Sequence, residues 1–156
     1  APSPYFRRRS LGINRLARRL LEEAEELIRA AAEHPEDEPP WMYFYGDGWF
    51  DMQRGMAELA IGDGSRAVRF LDRGLASLPE AYRRDRAWFG TCLARAQALA
   101  GDAEAAERLA ITVVPDAVAV NHYAVHDLRK LAGALAALRP QSGQRVEAAL
   151  RSAAGR

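Results

Sequence analysis

Three places in this chain hold side chains suited to chemistry. His122 and His126 are four residues apart, so on a helix they share one face and two imidazoles could reach one metal ion. A zinc site needs at least a third ligand. The adjacent Asp127 projects elsewhere on the helical wheel, and Cys92 is distant in sequence, so surface or groove-lining histidines and no metal are expected. Cys92 as a nucleophile would need a neighbouring base and a third group to orient that base. It stands instead among Leu93, Ala94 and Ala96, where a buried, inert thiol is expected. Asp47, Asp51 and Glu58 raise the question of paired carboxylates for acid–base work. However, Asp51–Arg54 and Arg54–Glu58 have the spacing of intrahelical ion pairs, so a solvated or interhelical charged face is the expectation. There is no glycine-rich phosphate loop, no Gly-x-Ser-x-Gly and no zincin motif. The chain is therefore expected not to be an enzyme and to need no cofactor.

The aromatic residues are unevenly spread. Trp41, Tyr43, Phe44, Tyr45, Trp49 and Phe50 crowd ten positions. A single stretch of helix buries only one side, so the others must be covered by a neighbouring helix, a partner or a ligand. Trp41, Tyr43 and Tyr45 are the expected partner or dimer contacts.

Composition narrows the class. With 22 basic and 21 acidic residues the net charge is +1, which gives no bulk electrostatic case for nucleic acid. Residues 1–20 nevertheless hold six Arg and no acid, whereas residues 21–40 hold eight acids and only Arg29 as a base. A single cysteine permits no intramolecular disulfide, which fits a reducing cytoplasm. No apolar run approaches the ~20 residues needed to span a bilayer, so no membrane association is expected. The Arg-rich start has no apolar segment after it and is not a secretory signal. The first residue is Ala1 and not Met, and further coding sequence upstream is expected.

These side chains are positioned by helices. Ala and Leu dominate, and β-branched residues are few apart from Ile111–Val114. Residues 1–9 read as a linker and Ser10 as a helix cap. Ile13, Leu16, Leu20, Ala24, Leu27, Ile28 and Ala31 recur every three or four residues and predict an amphipathic helix ending at His34-Pro35. A second helix is predicted from about Trp41 or Asp47 to Ile61, with Tyr45, Trp49, Met52, Met56 and Leu59 on its apolar face. Further helices are predicted at about 65–77, 84–100, 103–113 (ending before Pro115), 118–138 and 143–153. The expected fold is all-α, with about seven helices in stacked antiparallel hairpins.

An internal repeat supports this. Ile61-Gly62-Asp63-Gly64-Ser65-Arg66-Ala67 and Ala100-Gly101-Asp102-Ala103-Glu104-Ala105-Ala106 share the pattern apolar-Gly-Asp-x-x-x-Ala. Gly provides the left-handed residue that ends one helix, Asp caps the next, and Ala one turn on lets the two pack closely. Gly55 and Gly74 flank the first turn at seven residues from Gly62 and Ala67. Ala94 and Val113 stand at the matching places in the second copy.

The pattern resembles the tetratricopeptide repeat (TPR), with units at about 48–81 and 87–116 and a degenerate third at 118–153, all within a TPR-like domain at 10–156. The turns are 39 residues apart (Gly62 to Gly101) against the family's usual ~34, so the linker at Pro79-Glu80-Ala81-Tyr82-Arg83 is extended. Glu58 stands where the family prefers a large apolar residue. In order along the chain come an amphipathic helix, Pro40-Trp41-Met42-Tyr43-Phe44-Tyr45 and the Gly-Asp hairpins. Arg83-Arg84-Asp85-Arg86-Ala87, Leu93-Ala94-Arg95-Ala96 and Leu128-Arg129-Lys130-Leu131 complete the series. Together these are similar to the C-terminal half of actinobacterial XRE-family transcriptional regulators, in which an N-terminal helix-turn-helix binds DNA.

That resemblance implies a cytoplasmic effector-sensing and dimerising domain, a homodimer that meets DNA only through a preceding domain. A stand-alone adaptor for a partner peptide is the alternative. In a TPR the first helix of each hairpin lines the concave wall. Trp49, Met52 and Met56, then Trp88, Thr91 and Arg95, and at the far end His122, His126 and Arg129 would face a groove suited to a peptide or small acid. The plain alternative is that Met and Trp at this spacing are core.

Overall fold

The computed structural model describes residues 4–37, 39 and 46–155, and among them the protein is all-helical, with seven α-helices and no strand. Helix α1 spans Pro4–Ala32, α2 Asp47–Ile61, α3 Gly64–Ser77 and α4 Arg83–Leu99. Helix α5 spans Ala103–Val120, α6 His122–Leu138 and α7 Pro140–Ala154, and a short 3-10 turn occupies Pro35–Asp37. The hairpins α2–α3, α4–α5 and α6–α7 stack in chain order, and among the α-helices of the described residues α1 packs on α2.

Both Gly-Asp turns are built alike. Gly62 and Gly101 have φ of 93° and 91°, a left-handed backbone that glycine enters without steric cost. Asp63 N–H then bonds to Glu58 O at 3.0 Å, and Asp102 N–H to Gln97 O at 2.9 Å, closing each helix end. The Asp side chains accept from Arg66 N (3.1 Å) and Ala105 N (2.9 Å), capping α3 and α5. One turn further, Ala67 and Ala106 are fully buried. The first hairpin is close enough that a Cβ on Gly74 would meet Met52 Cγ at 2.4 Å and Gly48 O at 2.8 Å.

Four helix bounds differ from the sequence reading. α1 takes in residues 4–9, expected as a linker, because Pro4 sits at its start, where proline is tolerated, and no breaker follows. α5 continues through Pro115 to Val120 instead of stopping at Val113. Proline forfeits the bond to the Ile111 carbonyl, but Ile111 and Pro115 are on the exposed side. Val113, Val114 and Ala117, buried around it, hold the helix together. α6 accordingly begins only after Asn121, whose side chain accepts from Ala124 N at 3.2 Å. α7 starts three residues early, with Pro140 in its first turn.

The largest departure concerns α1. An amphipathic helix ordinarily turns its apolar stripe to the core. Instead Ile13, Leu16, Leu20 and Leu27 are 58%, 47%, 53% and 71% exposed. Ionic contacts hold the opposite side. Glu58, on α2, has no exposed surface, and Arg18 of α1 donates to it from Nη2 at 2.7 Å and Nε at 3.1 Å. Arg66 Nε lies 2.9 Å away, a charge contact without the alignment of a hydrogen bond. Arg18 also reaches Asp63 at 2.9 Å. Two turns along α1, Glu25 pairs with the buried Arg54 of α2. Asp51 pairs with Arg73 of α3 at 2.7 Å, and both Arg54 and Arg73 lie over the Phe70 ring. The charged side of α2 is thus interhelical, and none of the intrahelical pairs suggested by spacing forms. Glu58, anomalous as a repeat residue, is explained by its arginines.

Replacing Asp102 by Ala removes a cap alone and is expected to cost about 1 kcal/mol in urea unfolding. Asp63→Ala also releases Arg18 and is expected to cost measurably more; equal costs would contradict the Arg18 contact. The Glu25 carboxyl is held below its usual range, first by the Arg29 hydrogen bond and then by Arg54, against the opposing effect of burial. Glu107, bonded to Ser142 and to Arg145 of α7, is lowered likewise. Groups depressed on folding stabilise above the unfolded pKa of ~4.3 and lose that contribution as pH falls through the folded value. The urea midpoint should therefore drop below about pH 4, and less steeply in a Glu25→Gln/Glu107→Gln variant; parallel profiles would refute this assignment.

Candidate functional site

The first helices of the hairpins, α2, α4 and α6, adjoin in order. Between the start of α2, the end of α3 and the start of α4 lies a hollow of about 580 Å³. Trp49 and Met52 come from α2, Leu78, Pro79 and Tyr82 from the linker, and Asp85 from the first turn of α4. The overlong linker between repeats thus forms one wall. Arg86 fixes it by donating to Leu78 O at 2.7 Å, which satisfies a carbonyl at the end of α3. Trp49 is seated by an edge-on contact with Phe89, ring centres 5.8 Å apart.

A second hollow, about 550 Å³, lies beside Arg84, Asp85, Trp88, Asn121 and Tyr123. Asp85 borders both, so they adjoin along α4. Asn121 is committed twice: it caps α6, and its Nδ2 donates to Arg84 O at 3.1 Å, which ties the start of α4 to the start of α6. Trp88 is half-buried and touches both apolar clusters of the described residues. Asp85 is half-buried and has no hydrogen bond or ion pair among the described residues. Volumes of this size suit a small ligand or a few residues of peptide. The chemistry on offer is the Asp85 carboxylate among aromatic rings, with Arg84 at the border of the second hollow.

The residues expected to line one groove are dispersed. Trp49 and Trp88 border the hollows, and Met52, 1% exposed, closes the floor of the first. Met56 packs against the apolar cluster. Thr91 is fully buried and its hydroxyl donates to Ala87 O at 2.8 Å, so it serves α4 itself and not the groove. Arg95 donates to Asp127 of α6 at 2.7 Å, so its guanidinium already has its carboxylate. Arg129 borders a separate hollow of about 290 Å³ with Leu150 and Arg151 of α7. His122 and His126 are exposed, and the His122 ring lies against Tyr123 at 4.5 Å. Trp41, Tyr43 and Tyr45 fall outside the described residues.

Sequence reasoning missed Tyr82, Asp85 and Tyr123. The available signal was the surplus linker length, which has to go somewhere, and the position of Asp85 one turn before Trp88. Among the described residues one group brings three metal-ligating side chains together, the exposed His34, Glu36 and Asp37 beside the 3-10 turn. His34 Nδ1 lies 3.3 Å from Glu36 Oε1, an ordinary surface pairing.

Cys92 is fully buried, and burial pushes its thiol up to about 12. At pH 8 the native protein should therefore resist a thiol reagent and react fully only in denaturant; rapid native labelling would contradict this packing. No family model, curated protein or solved structure matches the chain.

Proposed function

We propose that this chain is a non-enzymatic, TPR-like binding domain whose ligand occupies the two adjoining hollows along α4. The observation that carries the reading is Asp85. It is a half-buried carboxylate without a partner among the described residues, and it borders both hollows together with Trp49, Tyr82, Trp88 and Tyr123. Its place in the first turn of α4 suits a negative charge, because the helix dipole is positive there. A ligand with an apolar body and a positive group matches this lining: a basic peptide side chain or an organic amine. The small acid suggested by Arg95 is less well served, because Asp127 already engages that guanidinium.

The order of motifs favours one biological setting, the effector-sensing and dimerising half of a cytoplasmic helix-turn-helix regulator. Ligand between successive hairpins would alter their angle and so the spacing of DNA-binding heads, a coupling of two sites. Coding sequence upstream of Ala1 that lacks a helix-turn-helix would remove this setting while leaving the binding site.

The site itself is tested by calorimetric titration with short peptides that differ only in carrying Lys, Gln or Glu at one position. The Lys peptide should bind best, and Asp85→Asn should weaken it about tenfold, equivalent to about 1.4 kcal/mol. Arg129→Ala, in the separate hollow, should leave it unchanged. Preference for the Glu peptide, or indifference to Asp85→Asn, would overturn the proposal.

A further inference from the structure

The exposed stripe of α1 is laid out for a second copy of itself. Ile13, Leu16, Leu20, Ala24, Leu27 and Ala31 form one continuous line at three- and four-residue spacings. Four large members of it are about half exposed or more. The helix has 29 residues, roughly 43 Å at 1.5 Å per residue, so the line runs for several turns. Isolated exposed leucines are ordinary, but a continuous apolar line along one helix marks a contact surface.

The order of residues along the line identifies the occupant. About a point near residue 22 the stripe is close to palindromic. Leu20 and Ala24 are two residues to either side, Leu16 and Leu27 six and five, and Ile13 and Ala31 nine. Two such helices running antiparallel would set Leu20 against Ala24 and Ile13 against Ala31, large against small, with Leu16 against Leu27 between them. The charges agree. Residues 12–21 hold Arg15, Arg18 and Arg19 and no acid, whereas 22–33 hold five Glu and one Arg. Arg19 and Glu26, both exposed, border the same edge of the stripe and are nearly symmetric about the same point. An antiparallel pair brings Arg19 of each copy toward Glu26 of the other; a parallel pair would oppose like charges. The contact Arg19 makes now, 3.6 Å to Glu23 between exposed side chains, is weak and readily exchanged. Arg18 and Glu25 stay engaged with α2, so self-pairing leaves the attachment of α1 intact.

We propose that the protein forms a two-fold dimer through antiparallel pairing of α1, with Leu16, Leu20 and Leu27 at its centre and Arg19–Glu26 at its rim. The proposal gives the dimerising part of the reading above its surface, and the contact is isologous, closing on two copies.

Sedimentation equilibrium of the 156-residue chain should give about twice 17.2 kDa. Leu16→Glu with Leu20→Glu should return the mass to 17.2 kDa and raise the dissociation constant at least about a hundredfold. Both side chains are exposed in the single chain, so the circular dichroism spectrum should not change. Arg19→Glu should weaken the dimer, and adding Glu26→Arg should restore it. Orientation is read by oxidation, in which Cys92 is buried and silent. Arg19→Cys protein should cross-link faster with Glu26→Cys protein than with itself. The proposal falls if the wild type remains a monomer at every concentration, whether its stripe is bare or covered from within the chain. It falls equally if the dimer ignores Leu16→Glu/Leu20→Glu, which would move the interface elsewhere, or if Arg19→Cys prefers itself. Titrating the monomeric variant with the Lys peptide keeps the two proposals apart, because no described residue of α1 lines either hollow beside Asp85.

Discussion

A carboxylate with no exposed surface governs how the first helix lies. Glu58 is taken wholly out of water inside a helical stack, and a buried charge is tolerated only when well paired. Its two arginines come from different helices, Arg18 on α1 and Arg66 on α3. The need to satisfy Glu58 therefore fixes the rotation of α1 about its own axis. With Arg18 and Glu25 turned inward, the leucine stripe is carried round toward solvent. Removing one partner of such a pair typically costs about 3–5 kcal/mol, because the other charge is left buried and unpaired. Arg18 and Glu25 therefore mark the docked face of α1, on which Leu21 and Ile28 are also half-buried.

The rest of the stack follows from small residues and caps. Gly62-Asp63 and Gly101-Asp102 reverse the chain twice with the same hydrogen bonds, and Ala67 and Ala106 let the helices close. Asn121 turns the chain from α5 into α6 without a glycine, by capping α6 and reaching back to Arg84 O. Because that second bond anchors the start of α4 beside the start of α6, Asp85 and Trp88 lie next to Tyr123 at the edge of a hollow. One amide thus links local chain reversal to the geometry of the candidate site.

How legible this was differed by the kind of signal. The hairpins could be read because a glycine with positive φ followed by a capping Asp has a direct backbone meaning. The run of α5 through Pro115 could not, since the rule that proline ends a helix is overridden when the freed carbonyl is on the outer side and Val113, Val114 and Ala117 are buried. Periodicity located the stripe on α1 but did not say what faces it, because a long-range ion pair leaves no trace in hydrophobic spacing. Glu58 was visible as an oddity, though its partners, 40 residues upstream and eight downstream, were not. Trp49 and Trp88, which border the hollows, stand out in the sequence as aromatic residues on first helices. Asp85 was hidden by its ordinary role as an acid in a first turn. Thr91, mapped to a groove from its repeat position, is instead fully buried with its hydroxyl on Ala87 O, because position along a repeat does not say which side of α4 its neighbours cover.

The decisive quantity is the coupling free energy between Arg18 and Glu58, obtained from urea unfolding of the wild type, Arg18→Ala, Glu58→Ala and the double variant. If this pair orients α1, the double variant should cost little more than either single one, with a coupling above about 1 kcal/mol. Costs that simply add would mean that the two side chains act independently, and that something other than the buried carboxylate holds the helix in place.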